Sequence, residues 1–189
     1  HIPFCRKACH YCNFHFSTSL QFKNDLLDAL LKEISLTPGK KEELIETIYF
    51  GGGTPSILDQ AELEKIIRQL KADFIISPDA EITLEANPDD INPLKAKAWL
   101  DSGINRLSIG IQSFRDEDLQ WMNRSHSALQ ARQAILDIKS AGFENFSIDL
   151  IFGTPGLDTN AWKANIDMAM TLGIPHLSCY ALTVESKTA

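Results

Sequence analysis

The chain has 189 residues, with 18 basic side chains against 25 acidic ones and a formal net charge of −7. Its 44% hydrophobic and 23% charged composition is that of an ordinary globular protein able to bury one core. The acidic balance and lack of a basic run exclude generic binding to nucleic acid or anionic membrane, and no apolar stretch approaches the ~18 residues of a membrane span.

The first residues, His1-Ile2-Pro3-Phe4, carry neither an initiator Met nor a signal-peptide pattern. We therefore expect a fragment truncated at both ends. Ile2-Pro3-Phe4 reads as the end of a first strand, followed by a cysteine-bearing loop. Leu26, Leu27, Leu30, Leu31 and Ile34 then follow the helical period within a helix from Leu20 to Leu36, which Pro38-Gly39 ends. A second strand, Thr47 to Phe50, runs into Gly51-Gly52-Gly53-Thr54-Pro55. A helix from about Asp59 to Ala72 leads to a third strand, Ala80 to Ala86, and a helix from Pro93 to Asp101 is closed by Gly103. The fourth strand is Arg106 to Gln112. Its helical return is interrupted near Asn123-Arg124-Ser125-His126, resumes at Ser127 and stops at Gly142. The fifth strand spans Asn145 to Ile151, the next helix Thr159 to Leu172, and the sixth strand His176 to Leu182. Six successive βα units predict an α/β protein, a partial parallel (β/α)6 barrel with helices outside.

Buried parallel strands usually read as continuous apolar runs. Several of these strands alternate instead. Ile82, Leu84 and Ala86 oppose Thr83, Glu85 and Asn87; Leu107, Ile109 and Ile111 oppose Arg106, Ser108, Gly110 and Gln112; Ile148 and Leu150 alternate with Ser147 and Asp149; Leu177 and Cys179 alternate with Ser178 and Tyr180. With the apolar faces under the helices, the polar faces line a lumen shaped for a polar ligand rather than a Val/Ile/Leu-filled interior.

Of four cysteines, Cys5, Cys9 and Cys12 form a tight Cys-x3-Cys-x2-Cys cluster, and Cys179 stands apart as a core thiol on the helix-facing side of its strand. Clustered thiols without secretory context indicate metal or redox ligands in a reducing, cytoplasmic compartment. Three thiolates suit an iron–sulfur cluster with one open iron. Zinc is the alternative and would need His10 or His15 as a fourth ligand. The triple glycine lets backbone approach a ligand closely, and it is not a phosphate-binding loop because no Gly-Lys-Ser/Thr follows. Glu85 and Asp149 are acids inside apolar strands. They require partners, either Arg106 or Arg124 in structural pairs or a ligand shared with Gln112. His126 and His176 read as loop or hydrogen-bonded residues, and Trp99, Trp121 and Trp162 as packing residues. No catalytic side chain is assigned.

The arrangement Cys5, Cys9, Tyr11, Cys12 resembles the CxxxCxΦC mark of the radical S-adenosylmethionine (SAM) superfamily. The resemblance extends along the whole chain through Gly51-Gly52-Gly53-Thr54-Pro55-Ser56, Leu84-Glu85-Ala86-Asn87-Pro88, Asn105 to Phe114, Asp149 to Pro155 and Leu177 to Thr183. Within that superfamily it is similar to the branch of oxygen-independent coproporphyrinogen III oxidases and HemW-type heme chaperones. The resemblance implies that residues 1–189 form a radical SAM core domain lacking a C-terminal domain. It further implies a [4Fe–4S] cluster on Cys5, Cys9 and Cys12, and SAM contacts by Tyr11, Gly52, Gly53, Thr54, Glu85, Gln112, Arg124 and Asp149. Phe14, where the oxidase pattern has a further cysteine, and Tyr180 to Glu185 look like the chaperone pattern. The expected function is thus a heme chaperone passing heme to an acceptor hemoprotein, with the oxidase as alternative and heme-binding residues beyond Ala189. An electron donor is implied, and the acidic charge is compatible with a basic one.

Overall fold

The computed structural model describes residues 1–37, 42–183 and 188. Five strands form one all-parallel sheet in sequential order: β1 (Leu44–Phe50), β2 (Ile75–Ala86), β3 (Arg106–Gln112), β4 (Phe146–Phe152) and β5 (His176–Ala181). The helices are α1 (Lys23–Leu36), α2 (Gln60–Asp73), α3 (Pro93–Asp101), α4 (Asp116–Trp121), α5 (Ala128–Ala141) and α6 (Thr159–Thr171). This is the expected α/β partial barrel. The expected first strand is reduced to two isolated parallel bridges, Ile2 with Gly52 and Phe4 with Ser17. Pro3 has no N–H to extend a ladder, and its carbonyl instead accepts from Ser17 N.

Local chemistry sets the helix ends. Asp59 and Ser127 make reciprocal capping boxes with Glu62 and Gln130, and Asn92 and Asp158 cap α3 and α6. Gly142 ends α5 in the left-handed conformation (φ 105°) that glycine tolerates. The stop expected of Pro38-Gly39 lies outside the described residues. β2 begins five residues earlier than the alternation from Ala80 indicates, because Ile75 and Ile76 pair with Leu44 and Ile45 before the register shifts ahead of Thr47 and Glu81. Ser77-Pro78-Asp79 reads as a break and is accommodated as that shift.

The outward sheet face supplies the core. Leu84, Leu107, Ile109, Ile111, Ile148 and Leu150 are fully buried with Leu63, Ile66, Trp99, Ile135 and Ile138 from the helices. Each such side chain contributes about 1.5–3 kcal/mol by burial. The core residues Leu27 and Ile34 lie on the apolar stripe of α1. Cys179 departs from expectation. It is exposed, because β5 is the last strand of the sheet and no helix among the described residues follows to cover it. Trp121, at the end of the short α4, is also partly exposed, whereas Trp99 is buried as expected. Among the described residues, no helix is long and apolar enough to cross a membrane.

Candidate functional site

With the apolar face committed to the core, the polar face lines two cavities at opposite levels of the lumen. Glu85, Ser108, Gly110, Gln112, Asp149 and Tyr180 border one of about 720 Å³ toward the strand C-termini. Thr83, Arg106, Ser147 and Ser178 border another of about 560 Å³. The larger cavity also gathers Cys5, Cys9, Cys12, Tyr11, Gly52, Gly53, Thr54 and Arg124. Every site residue expected from the sequence therefore borders one volume.

The cysteine loop lies over the end of β1. Ile2 N donates to Gly51 O (2.8 Å) and Gly53 N to Ile2 O (2.9 Å), which brings the glycine loop under the thiols. A Cβ at Gly53 would stand 2.8 Å from the backbone N and O of Phe4 and 3.1 Å from Cys5 Sγ. Only glycine leaves room there. Gly52 has φ 122°, and its N–H donates to Glu85 Oε2 at 3.0 Å. The other oxygen, Glu85 Oε1, accepts from the Tyr49 hydroxyl at 2.8 Å. Burial and then this carboxylate push the Tyr49 phenol up to about 12.

Arg124 is the hub of the opposite wall. α4 ends at Trp121, and Asn123 turns left-handed (φ 56°), so the chain delivers Arg124 into the lumen. Its Nη2 donates to Asn87 Oδ1 (2.6 Å) and Gly110 O (2.7 Å), and its Nη1 to Tyr11 Oη (3.2 Å) and Cys9 Sγ (3.3 Å). Asn87 Nδ2 in turn donates to Thr54 Oγ1 (3.2 Å), whose hydroxyl donates to Cys5 Sγ (3.5 Å). One continuous polar chain thus links Cys5 to Cys9. Its buried Nε is without a partner among the described residues, which is costly unless an acceptor arrives. Burial works against the guanidinium charge, but Tyr11 and Cys9 outweigh it and hold the group charged. Tyr11 packs on an apolar cluster of Leu119, Met122, Ala128 and Ile151. Burial raises its phenol strongly, with Arg124 opposing.

The two acids behave differently from a structural pairing with arginine. Arg106 sits 3.8 Å from Glu81, Arg124 is engaged as described, and neither forms an ion pair with Glu85 or Asp149 among the described residues. Asp149 has no hydrogen-bond partner there. Burial, then the neighbouring Glu85, push its carboxyl up to about 6. Gln112 ends β3 with φ 67°, a conformation an L residue with a long side chain rarely adopts. Such strain concentrates at ligand sites. The thiols of Cys5 and Cys12 are raised by burial, which Thr54 and the Phe14 backbone respectively oppose.

His10 Nδ1 meets the Trp121 carbonyl at 2.9 Å. Among the described residues no three His, Cys, Asp or Glu side chains converge as ligands of a single ion. A lone zinc needs its donors around one point, whereas thiolates on separate irons of a cluster stand farther apart. His126, as expected, is buried and hydrogen-bonded, its Nε2 3.0 Å from Ile111 O. Asn87 and Gly110, which the alternation places on the lumen face but not among the expected ligand contacts, carry the network. A Cβ at Gly110 would stand 3.2 Å from Arg124 Nη2, so its signal was a glycine inside a strand opposite an arginine.

The chain is similar over its full length to curated heme chaperones HemW. It is 38% identical to that of Bacillus subtilis (strain 168) and 33% identical to that of Escherichia coli (strain K12), covering 50% of each. It thus spans about half the length of these relatives. Among solved structures it is similar to coproporphyrinogen III oxidase (HemN) from Escherichia coli, described as a radical SAM enzyme. The TM-score is 0.89 and the identity 30%, over 97% of this chain and 43% of that one. The family model described as Radical SAM superfamily matches residues 1–180, and the chain belongs to that superfamily.

Proposed function

We propose that this chain is the cofactor-carrying core of a HemW-like heme chaperone, with a [4Fe–4S] cluster on Cys5, Cys9 and Cys12 and SAM in the cavity beside it. The observation that carries the reading is the partly buried network joining Cys5, Thr54, Asn87, Arg124 and Cys9, with the buried Arg124 Nε left open to an anionic ligand. The residues present fit these groups. Three thiols lie at the mouth of the barrel, Gly53 leaves the space a Cβ would fill, and the cavity is large enough for a nucleoside-sized ligand.

When bound, the cluster and SAM supply one-electron chemistry. Around them this chain's residues bind, orient and exclude water. Glu85 accepts from Gly52 N and Tyr49, so its oxygens are fixed facing the cavity. Gln112 and Asp149 offer polar contacts, and Asp149 near neutrality can accept or donate. Arg124 neutralises negative charge at Cys9 and at an incoming carboxylate. Tyr11 walls the site against the apolar cluster below it.

The chaperone reading is supported by the curated HemW relatives matching the entire chain at 33–38% identity. Heme as cargo, the acceptor hemoprotein and the electron donor are part of this proposal, as is a cytoplasmic location. The oxidase is the second reading, supported by the HemN structural likeness. Anaerobic reconstitution with iron and sulfide tests the cofactor claim: about four irons per chain and binding of SAM are expected, and one zinc with no sulfide-bound iron would overturn it. On the full-length protein, stable heme binding without porphyrinogen turnover is expected; SAM-dependent consumption of coproporphyrinogen III would replace the chaperone by the oxidase.

A further inference from the structure

The cysteine loop is tied down by groups that touch no sulfur. Arg6, directly after Cys5, donates from Nε (3.0 Å) and Nη2 (2.7 Å) to Oδ1 of Asp90. Asp90 is buried in a 3-10 turn, Pro88–Asp90. Its other oxygen accepts from Ser56 Oγ at 2.7 Å, in the short turn Pro55–Ile57 that follows the glycine loop. Lys95 of α3 donates to the Ser56 carbonyl and stands 4.0 Å from Asp90 Oδ1. On the far side, Asn123 Nδ2 donates to Ala8 O (2.8 Å), and His10 N donates to Met122 O (3.2 Å). Residue 6 is therefore held by the Pro88–Asp90 turn, and residues 8 and 10 by the segment that follows α4.

A buried carboxylate is costly unless it is paired and hydrogen-bonded. Asp90 lies outside both lumen cavities, and of the two cations within 4.0 Å, the hydrogen-bonded one, Arg6, comes from the half-exposed cysteine loop. The cheapest way to satisfy Asp90 is for the loop to keep Arg6 in place, so the buried charge selects one loop conformation. We propose that Asp90 is a positioning residue that acts through Arg6 to hold the Cys5–Cys9 span in the shape that takes the cluster. This rests on the cluster reading above.

The test uses the whole chain with Arg6→Gln, Asp90→Asn, the double variant and Arg6→Lys. Iron extraction from reconstituted protein by a chelator is expected to be about tenfold faster in either single variant, equivalent to about 1.4 kcal/mol. The double variant is expected to be no faster than the singles, and Arg6→Lys, which keeps a cation on Asp90, to restore most of the retention. In the cluster-free protein, amide exchange at His10 and Cys12 is expected to accelerate while β2 and α3 stay protected. Should Asp90→Asn fail to fold, Arg6→Gln on the half-exposed loop carries the comparison. Wild-type extraction rates in a folded Arg6→Gln, a multiplied effect in the double variant, or exchange spread evenly through β2 and α3 would overturn the inference. If wild-type protein takes up no cluster, the cluster reading fails, and the exchange comparison still decides whether Asp90 orders the loop.

Discussion

Asp149→Asn is the sharpest probe of the lumen. In the fold the carboxyl is pushed from 3.8 up to about 6, first by burial and then by Glu85. At about 1.36 kcal/mol per unit, the ionised form costs the native state at most about 3 kcal/mol. The sign follows from proton counts. Below about pH 4 the group is neutral in both states and contributes nothing. Between pH 4 and 6 the native chain holds the proton longer than the unfolded chain, so stability falls as pH rises. Above pH 6 the full penalty is present. Asparagine is isosteric and never ionises, and Asp149 makes no hydrogen bond among the described residues for it to lose. In urea unfolding of the cofactor-free protein, the variant is expected to match wild type near pH 4 and to exceed it by up to about 3 kcal/mol at pH 7. For a chain of this size that is about 6–12 °C in Tm. SAM binding should weaken in the same variant, the exchange of stability for function typical of a ligand site. A stability difference independent of pH, or a variant less stable at pH 7, would refute the argument that Asp149 is a desolvated group awaiting a ligand.

Arg124→Ala should cost about 1–3 kcal/mol in unfolding, because Asn87 Oδ1 and Gly110 O lose their donor in a partly buried setting. It should also abolish SAM binding measured by calorimetry. Gly53→Ala places a methyl 2.8 Å from the Phe4 backbone, so the cysteine loop must shift; iron content after reconstitution is expected to fall severalfold with the helical circular dichroism unchanged. His126 is held near 4, below its usual 6.5, by burial and by Arg124. Its stabilising neutrality is complete above pH 6.5 and is lost as pH falls toward 4, at most about 3–4 kcal/mol. His126→Gln should flatten the acid limb of the stability profile over that window.

Much of this was legible because two periodicities coincide. The strand alternation Leu84-Glu85-Ala86 or Ile148-Asp149-Leu150 reports directly which side chains face the helices and which face the lumen, since side chains alternate with period 2. The helix caps at Asp59 and Ser127 announce themselves within four residues of sequence. Cys179 failed for a physical reason: alternation identifies a face, but whether that face is covered depends on an element following β5 in space. Of the two readings of the lumen acids, the arginine-paired one failed similarly. Composition says that Glu85 needs donors, and the donors are a backbone N–H at Gly52 and a phenol, Tyr49, on the neighbouring strand, neither of which has a charge signature. Asn87 was placed on the lumen face, but its link between Thr54 and Arg124 was hidden because an Asn before Pro88 has an ordinary turn explanation.

The residues whose backbone leaves the helix and strand regions share a location. Gln112 and Asn123, the two non-glycine residues in the left-handed region among those described, bracket α4. Gln112 ends the strand that carries Gly110, and Asn123 immediately precedes Arg124 and also reaches Ala8 in the cysteine loop. Either conformation costs energy that helix or strand continuation would avoid. The short segment between them packs Leu119 and Met122 beneath Tyr11, so the strain at both ends is held by one apolar contact under the site. The helices and the apolar sheet face provide a surplus of burial; the 112–124 segment uses part of it to point an arginine, a glutamine and a loop anchor at one cavity. Local sequence rules therefore fail where stability is exchanged for a placed polar group, and here that place is the wall between the thiols and the lumen.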